Sequence, residues 1–108
     1  MEARPEVVSE GYRLLESHLQ RAGLSPEPIS QVTLEALRAW LEQGVKYLLN
    51  QNMEALLQLC YRVDLPEAEV SHILSTAPPD SLAAQLADLI LHREFQKVHF
   101  RQKYRQGS

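Results

Sequence analysis

The six prolines of this chain fall at only four places and cut its 108 residues into stretches of helical length. Pro5 opens the first stretch, Pro26 and Pro28 stiffen a connector, Pro66 sits in a turn, and Pro78-Pro79 ends the fourth stretch. Proline lacks the backbone N–H and clashes with the preceding turn, so it belongs in the first turn of a helix or outside it. Between these points apolar residues recur at steps of three and four, and no segment alternates at period two as a strand would. The expectation is an all-α fold. A single domain spans residues 1–108, with about five helices and a long C-terminal helix.

The first helix is expected after Pro5, carried by Val8, Tyr12, Leu15 and Leu19, and closed near Gly23. Ser30 reads as the N-cap of the second helix, whose stripe runs through Leu37, Leu41, Val45 and Leu48, with Trp40 alongside. Gly44 costs a helix about 1 kcal/mol against alanine, which points to a close crossing. Asn50-Gln51-Asn52 breaks the run, and Asn52 caps a third helix through Leu56, Leu59, Cys60 and Val63. In Asp64-Leu65-Pro66-Glu67, Asp64 is expected to cap a short fourth helix, with Glu67 in the reciprocal position. Asp80 is expected to cap the last helix, from Ser81 to about Arg105. Four helices would form the bundle, with the fifth part docked and part projecting.

Charge is divided along the chain. Residues 92–108 hold five cations and one acid, whereas residues 1–91 hold six cations and thirteen acids. Such asymmetry marks a surface for an acidic partner or an internal contact with the acidic helices. On the last helix Leu82, Leu86, Leu89, Ile90, Phe100 and Tyr104 share one side. Leu91, Phe95 and Val98 lie opposite, so the helix reads as apolar on two faces. Arg93, Lys97, Arg101 and Arg105 follow at steps of four. Together with Phe100 and Tyr104 they form a candidate partner strip: Arg93, Lys97, Phe100, Arg101 and Tyr104. The competing reading has the stems of Arg93 and Lys97 covering apolar surface while their heads meet internal acids.

Residues 59–74 resemble a helix-turn-helix, with small Cys60 at the close-packing position and Asp64 where a turn glycine is usual. The second helix opens Pro66-Glu67-Ala68-Glu69 without a cation, which disfavours contact with phosphates. The expectation is the same two-helix packing used structurally. Cys60 is the only cysteine. It reads as a buried structural thiol in a reducing compartment. No phosphate loop, nucleophile elbow or metal-spaced Cys/His pair is present. Neither catalysis nor a cofactor is expected. Met1 to Glu6 carry no apolar leader core, and no run reaches a membrane span. The expected address is the cytoplasm, with no membrane contact.

The run Tyr61-Arg62-Val63-Asp64, preceded by Asn52 to Leu57 and followed by Leu86 to Lys97, resembles a family of small uncharacterised bacterial proteins. These carry a Tyr-Arg-Ile/Val-Asp segment and a basic C-terminal helix with a Gln-Lys pair, here Gln96-Lys97. The resemblance spans roughly residues 35–104 and implies a bacterial origin, with no activity attached. It directs attention to Tyr61 to Asp64 and Arg93 to Lys97, where the residues themselves offer two readings: Tyr61, Arg62 and Asp64 lining a pocket with Arg93, or a buried structural ion pair in which Arg62 or Arg93 meets an acid. The expected function is a non-enzymatic protein–protein interaction or regulatory module that meets an acidic partner, or itself as a homodimer, through the basic helix. The alternative is a nucleic-acid accessory protein using the same cations.

Overall fold

The computed structural model describes residues 4–107, so Met1 to Ala3, part of the leader reading, lie outside the described residues. Five helices follow one another: α1 (Pro5–Arg21), α2 (Leu34–Gln51), α3 (Met53–Val63), α4 (Glu67–Thr76) and α5 (Pro79–Gly107). The described residues contain no strand.

Two helices end in the same motif with different residues. After α1, Gly23 takes φ +90°, with Gly23 N–H donating to the Gln20 carbonyl and Leu24 N–H to that of Leu19. After α3, Asp64 takes φ 68°, with Asp64 N–H donating to Tyr61 and Leu65 N–H to Cys60. Both are Schellman closures, which need a left-handed residue that glycine adopts freely and aspartate tolerates. Asp64 therefore closes α3 and does not cap α4. Pro66 precedes α4 without a side-chain cap, so the expected capping box does not form.

Three further boundaries bear on the expectations. Asn52 caps α3 as expected, its Oδ1 accepting from Ala55 N–H at 3.1 Å. The N-cap of α2 is Thr33 and not Ser30, its Oγ1 accepting from Ala36 N–H at 3.1 Å. The connector is longer because other helices' side chains satisfy its backbone. Ile29 N–H donates to Tyr12 Oη at 3.0 Å, and Trp40 Nε1–H donates to the Glu27 carbonyl at 3.0 Å. The two rings meet edge to face, 5.1 Å apart. The last helix starts at Pro79, which puts Asp80 inside its first turn, where a carboxylate suits the positive end of the helix dipole.

The last helix organises the rest. Its 29 residues span about 43 Å at 1.5 Å per residue, matching the 42 Å long dimension of the molecule. The other four helices all pack on it. It is the centre of the bundle, not an addition to a bundle of four. Ala83, Leu86, Ala87, Ile90, Leu91, Glu94, Phe95 and Val98 are buried. At 100° per residue these eight cover one arc of about 180°. The two apolar faces expected from the sequence are thus the two flanks of one wide buried stripe. Phe100 and Tyr104 lie beyond its end and are exposed.

The pairing of α1 with α5 is antiparallel, since Glu10 meets Gln102 while His18 meets Glu94. The fourth helix buries Val70 and packs on α5, and its packing on α3 is slight. The helix-turn-helix pattern therefore does not close on itself. Its apolar residues are used against the last helix instead.

Two glycines sit where helices approach. A Cβ on Gly11 would stand 2.6 Å from Phe95 Cε1, a ring that is itself buried. A Cβ on Gly44 would meet Leu19 Cδ1 at 3.3 Å and Leu24 Cδ1 at 3.6 Å, consistent with the close crossing of α1 and α2. Gly11→Ala should cost roughly 1–2 kcal/mol net, overpacking outweighing the gain in helix propensity. Gly44→Ala should stay within about 1 kcal/mol of the native chain, because leucine termini can yield. Urea denaturation of the two variants measures both.

Candidate partner-binding groove

The cations of α5 differ in their surroundings. Arg93 Nη2 lies 3.0 Å from Asp64 Oδ2, and its Nε donates to the Asp64 carbonyl at 3.3 Å. Lys97 Nζ donates to the Val63 carbonyl at 3.1 Å. These carbonyls belong to the C-terminal end of α3, which has orphan acceptors and the negative end of a helix dipole. Arg93 and Lys97 thus clasp α3 to α5. Arg101 and Lys103 are exposed, and neither forms an ion pair or hydrogen bond within the described residues.

An open groove of about 880 Å³ runs along this part of α5. It is lined by Arg4, Arg93, Gln96, Lys97, His99, Phe100, Arg101, Gln102 and Lys103, with no carboxylate among them. Phe100 is 71% exposed and Tyr104 73% exposed, and their rings stack at 6.4 Å with a 23° tilt. On their other side lies a hollow of about 540 Å³ lined by Glu10, Arg13, Phe100, Arg101, Tyr104 and Arg105. Phe100 and Arg101 line both hollows, and Tyr104 lines the second. A partner crossing here would meet apolar ring faces flanked by cations.

Tyr61, Arg62 and Asp64 are not drawn together into a pocket. Tyr61 is 86% exposed on the outer side of α3. Arg62 is half-buried, and its Nη1 is buried without a hydrogen-bond partner. Only Asp64 reaches Arg93. The hollow beside that pair, about 470 Å³, is lined by residues from Asp64 to Glu69 and from Leu89 to Gln96, without Tyr61 or Arg62.

Two acidic nodes escaped the sequence reading. Glu94, the one acid in the basic segment, is 0% exposed. Its Oε1 lies 3.1 Å from His18 Nε2 and its Oε2 lies 3.8 Å from Lys97 Nζ. The signal was there: Glu94 is four residues from both Ile90 and Val98, in the middle of the buried arc. Glu10 of α1 accepts from Gln102 Nε2 at 3.0 Å and lies 3.5 Å from Arg105 Nη2, so it holds the end of α5 to α1. Nothing in the spacing of Glu10 announces that contact.

Cys60 is buried in the core, and burial pushes its thiol up from 9.0 to about 11. No group of three or more His, Cys, Asp or Glu side chains among the described residues is placed to hold a metal ion. No helix among them is long and apolar enough to cross a membrane. The chain matches no protein-family model, no curated protein and no solved structure.

Two outcomes follow from this geometry. Lys97→Glu sets a second carboxylate beside buried Glu94 and should lower stability by about 2 kcal/mol or more, while Arg101→Glu should leave the denaturation midpoint unchanged. A thiol held protonated to about 11 should react with a disulfide reagent at pH 8 about a hundredfold more slowly in the folded chain than in denaturant. Absorbance at the reagent's leaving-group band reads that rate directly.

Proposed function

We propose that the chain is a non-enzymatic interaction module that receives an acidic segment of a partner protein in the α5 groove. The observation that carries this reading is the lining itself: Arg4, Arg93, Lys97, Arg101 and Lys103 without a carboxylate, beside two stacked rings left in water. Arg93 and Lys97 are pinned to α3 and hold the floor in place. Arg101 and Lys103 are unengaged within the described residues. Charged rims of this kind steer encounter and set register, and a central aromatic anchor supplies affinity. The occupant that fits is an amphipathic acidic segment, its carboxylates on the cations and an apolar side chain on Phe100 and Tyr104.

A second copy of this groove is disfavoured by like charge. An extended nucleic acid is disfavoured by the net negative charge of residues 1–91, which hold six cations and thirteen acids. The single buried thiol and the likeness around Tyr61 to Asp64 support a bacterial, cytoplasmic setting for the module.

A labelled helical peptide of glutamates and leucines at helical spacing is the probe. Fluorescence anisotropy at low salt should show binding, weakened about tenfold or more by the double reversal Arg101→Glu and Lys103→Glu. Absence of peptide binding overturns the reading. Preferential binding of an oligothymidylate with steep salt dependence replaces it with the nucleic-acid reading. A doubled mass in light scattering that the double reversal abolishes replaces it with self-association.

A further inference from the structure

Three large hydrophobic side chains on α3 stay in water. Met53 is 40% exposed, Leu57 is 46% exposed, and Tyr61 is more open still. The helix buries Ala55, Leu56, Leu59, Cys60 and Val63, so it turns one arc to the core and this row to solvent. Single apolar residues scattered on a surface need no explanation, whereas a row at steps of four makes a continuous ridge. The ridge runs about 12 Å along the helix and leans across it, because each step of four advances about 40°.

The ridge is centred on Leu57, four residues from Met53 and four from Tyr61. Beside it run Glu54, Gln58 and Arg62, also at steps of four, with the acid in the first turn of α3 and the cation in the last. Neither the Glu54 nor the Arg62 side chain forms an ion pair or hydrogen bond among the described residues, and Arg62 Nη1 is buried without a partner. We propose that this ridge joins two copies of the chain, their α3 helices crossing antiparallel about a two-fold axis at Leu57. A two-fold contact must be self-complementary, and this row is. Leu57 meets its own counterpart, and the Met53 thioether of each copy meets the Tyr61 ring of the other, a favourable sulfur–aromatic contact. The antiparallel course also sets Glu54 of one copy beside Arg62 of the other. A parallel course would set Glu54 on Glu54 and Arg62 on Arg62, which like charge opposes. The remaining acid near the ridge, Asp64, is already engaged by Arg93. None of Met53, Glu54, Leu57, Tyr61 and Arg62 lines the α5 groove, so the inference stands independently of the groove reading.

Sedimentation equilibrium of the full chain, from micromolar to about 1 mM, should show a monomer passing to a dimer. Leu57→Glu, checked for native helix content by circular dichroism, should remain a monomer, because it sets two carboxylates against each other on the axis. The double reversal Arg101→Glu and Lys103→Glu should dimerise as the native chain does. Mild oxidation reads the register. Leu57→Cys should give a disulfide-linked dimer, since the axis brings its two copies within bridging distance. Met53→Cys should not, its two copies lying at opposite ends of the ridge, and buried Cys60 stays out of the reaction. A native chain that is monomeric throughout overturns the inference. So does a dimer that survives Leu57→Glu, or one that links through Met53→Cys as readily as through Leu57→Cys. A monomer that cosediments with phosphatidylcholine–phosphatidylglycerol vesicles, and loses this with Leu57→Glu, overturns it in favour of a membrane surface. Peptide binding in the groove is measured separately and survives any of these outcomes.

Discussion

The molecule depends on burying one broad arc of α5, from Ala83 to Val98, against four other helices at once. A helix that must hide about half of its circumference cannot lie on the outside of a bundle. The other helices are therefore arranged around it. Each large apolar side chain buried in such an arc contributes about 1.5–3 kcal/mol, which outweighs any single surface contact. The narrow approach at Gly11, where Phe95 occupies the space of a side chain, and the antiparallel course of α1 both follow from this placement. So does the isolation of Glu94, the one charged side chain among the described residues that the arc carries fully inside.

The same helix does three different things along its length, and position relative to the bundle decides which. Through Ile90 and Leu91 it is core. At Arg93 and Lys97 it is a clasp, because these cations come level with the carbonyl end of α3. Past Val98 only α1 still meets the helix, through Gln102 and Arg105 on Glu10, and Phe100, Arg101, Lys103 and Tyr104 remain in water. Arg93, Lys97 and Arg101, four residues apart in turn, thus end up as internal fasteners and as surface. The difference lies only in what stands opposite them. Lys97 belongs to both regions, since it donates to the Val63 carbonyl, faces the buried Glu94 carboxylate and lines the groove.

Much of the secondary structure was legible. Gly23 and Asn52 act where their chemistry places them, since a glycine end cap and an asparagine N-cap are local devices needing no distant partner. Asp64 and Ser30 were misread for a common reason. Each has plausible local capping chemistry, but a distant side chain settles its role. Arg93 engages the Asp64 carboxylate, and Tyr12 and Trp40 hold the connector extended past Ser30. The helix-turn-helix pattern was misread similarly, because its apolar residues state that they will be buried without stating against which helix.

The order and number of helices, their approximate ends and the concentration of positive charge near the C-terminus follow from the sequence by itself, because they rest on local propensity and periodicity. Which arc of α5 is buried, which cations are consumed inside and where the bundle stops were decided only by the tertiary structure. Apolar spacing defines a stripe on each helix, whereas the width and length over which that stripe is covered depend on how many neighbours meet it. That is why an acid at position 94 came to lie in the core while aromatic residues at 100 and 104, in a stretch of the same helix, did not.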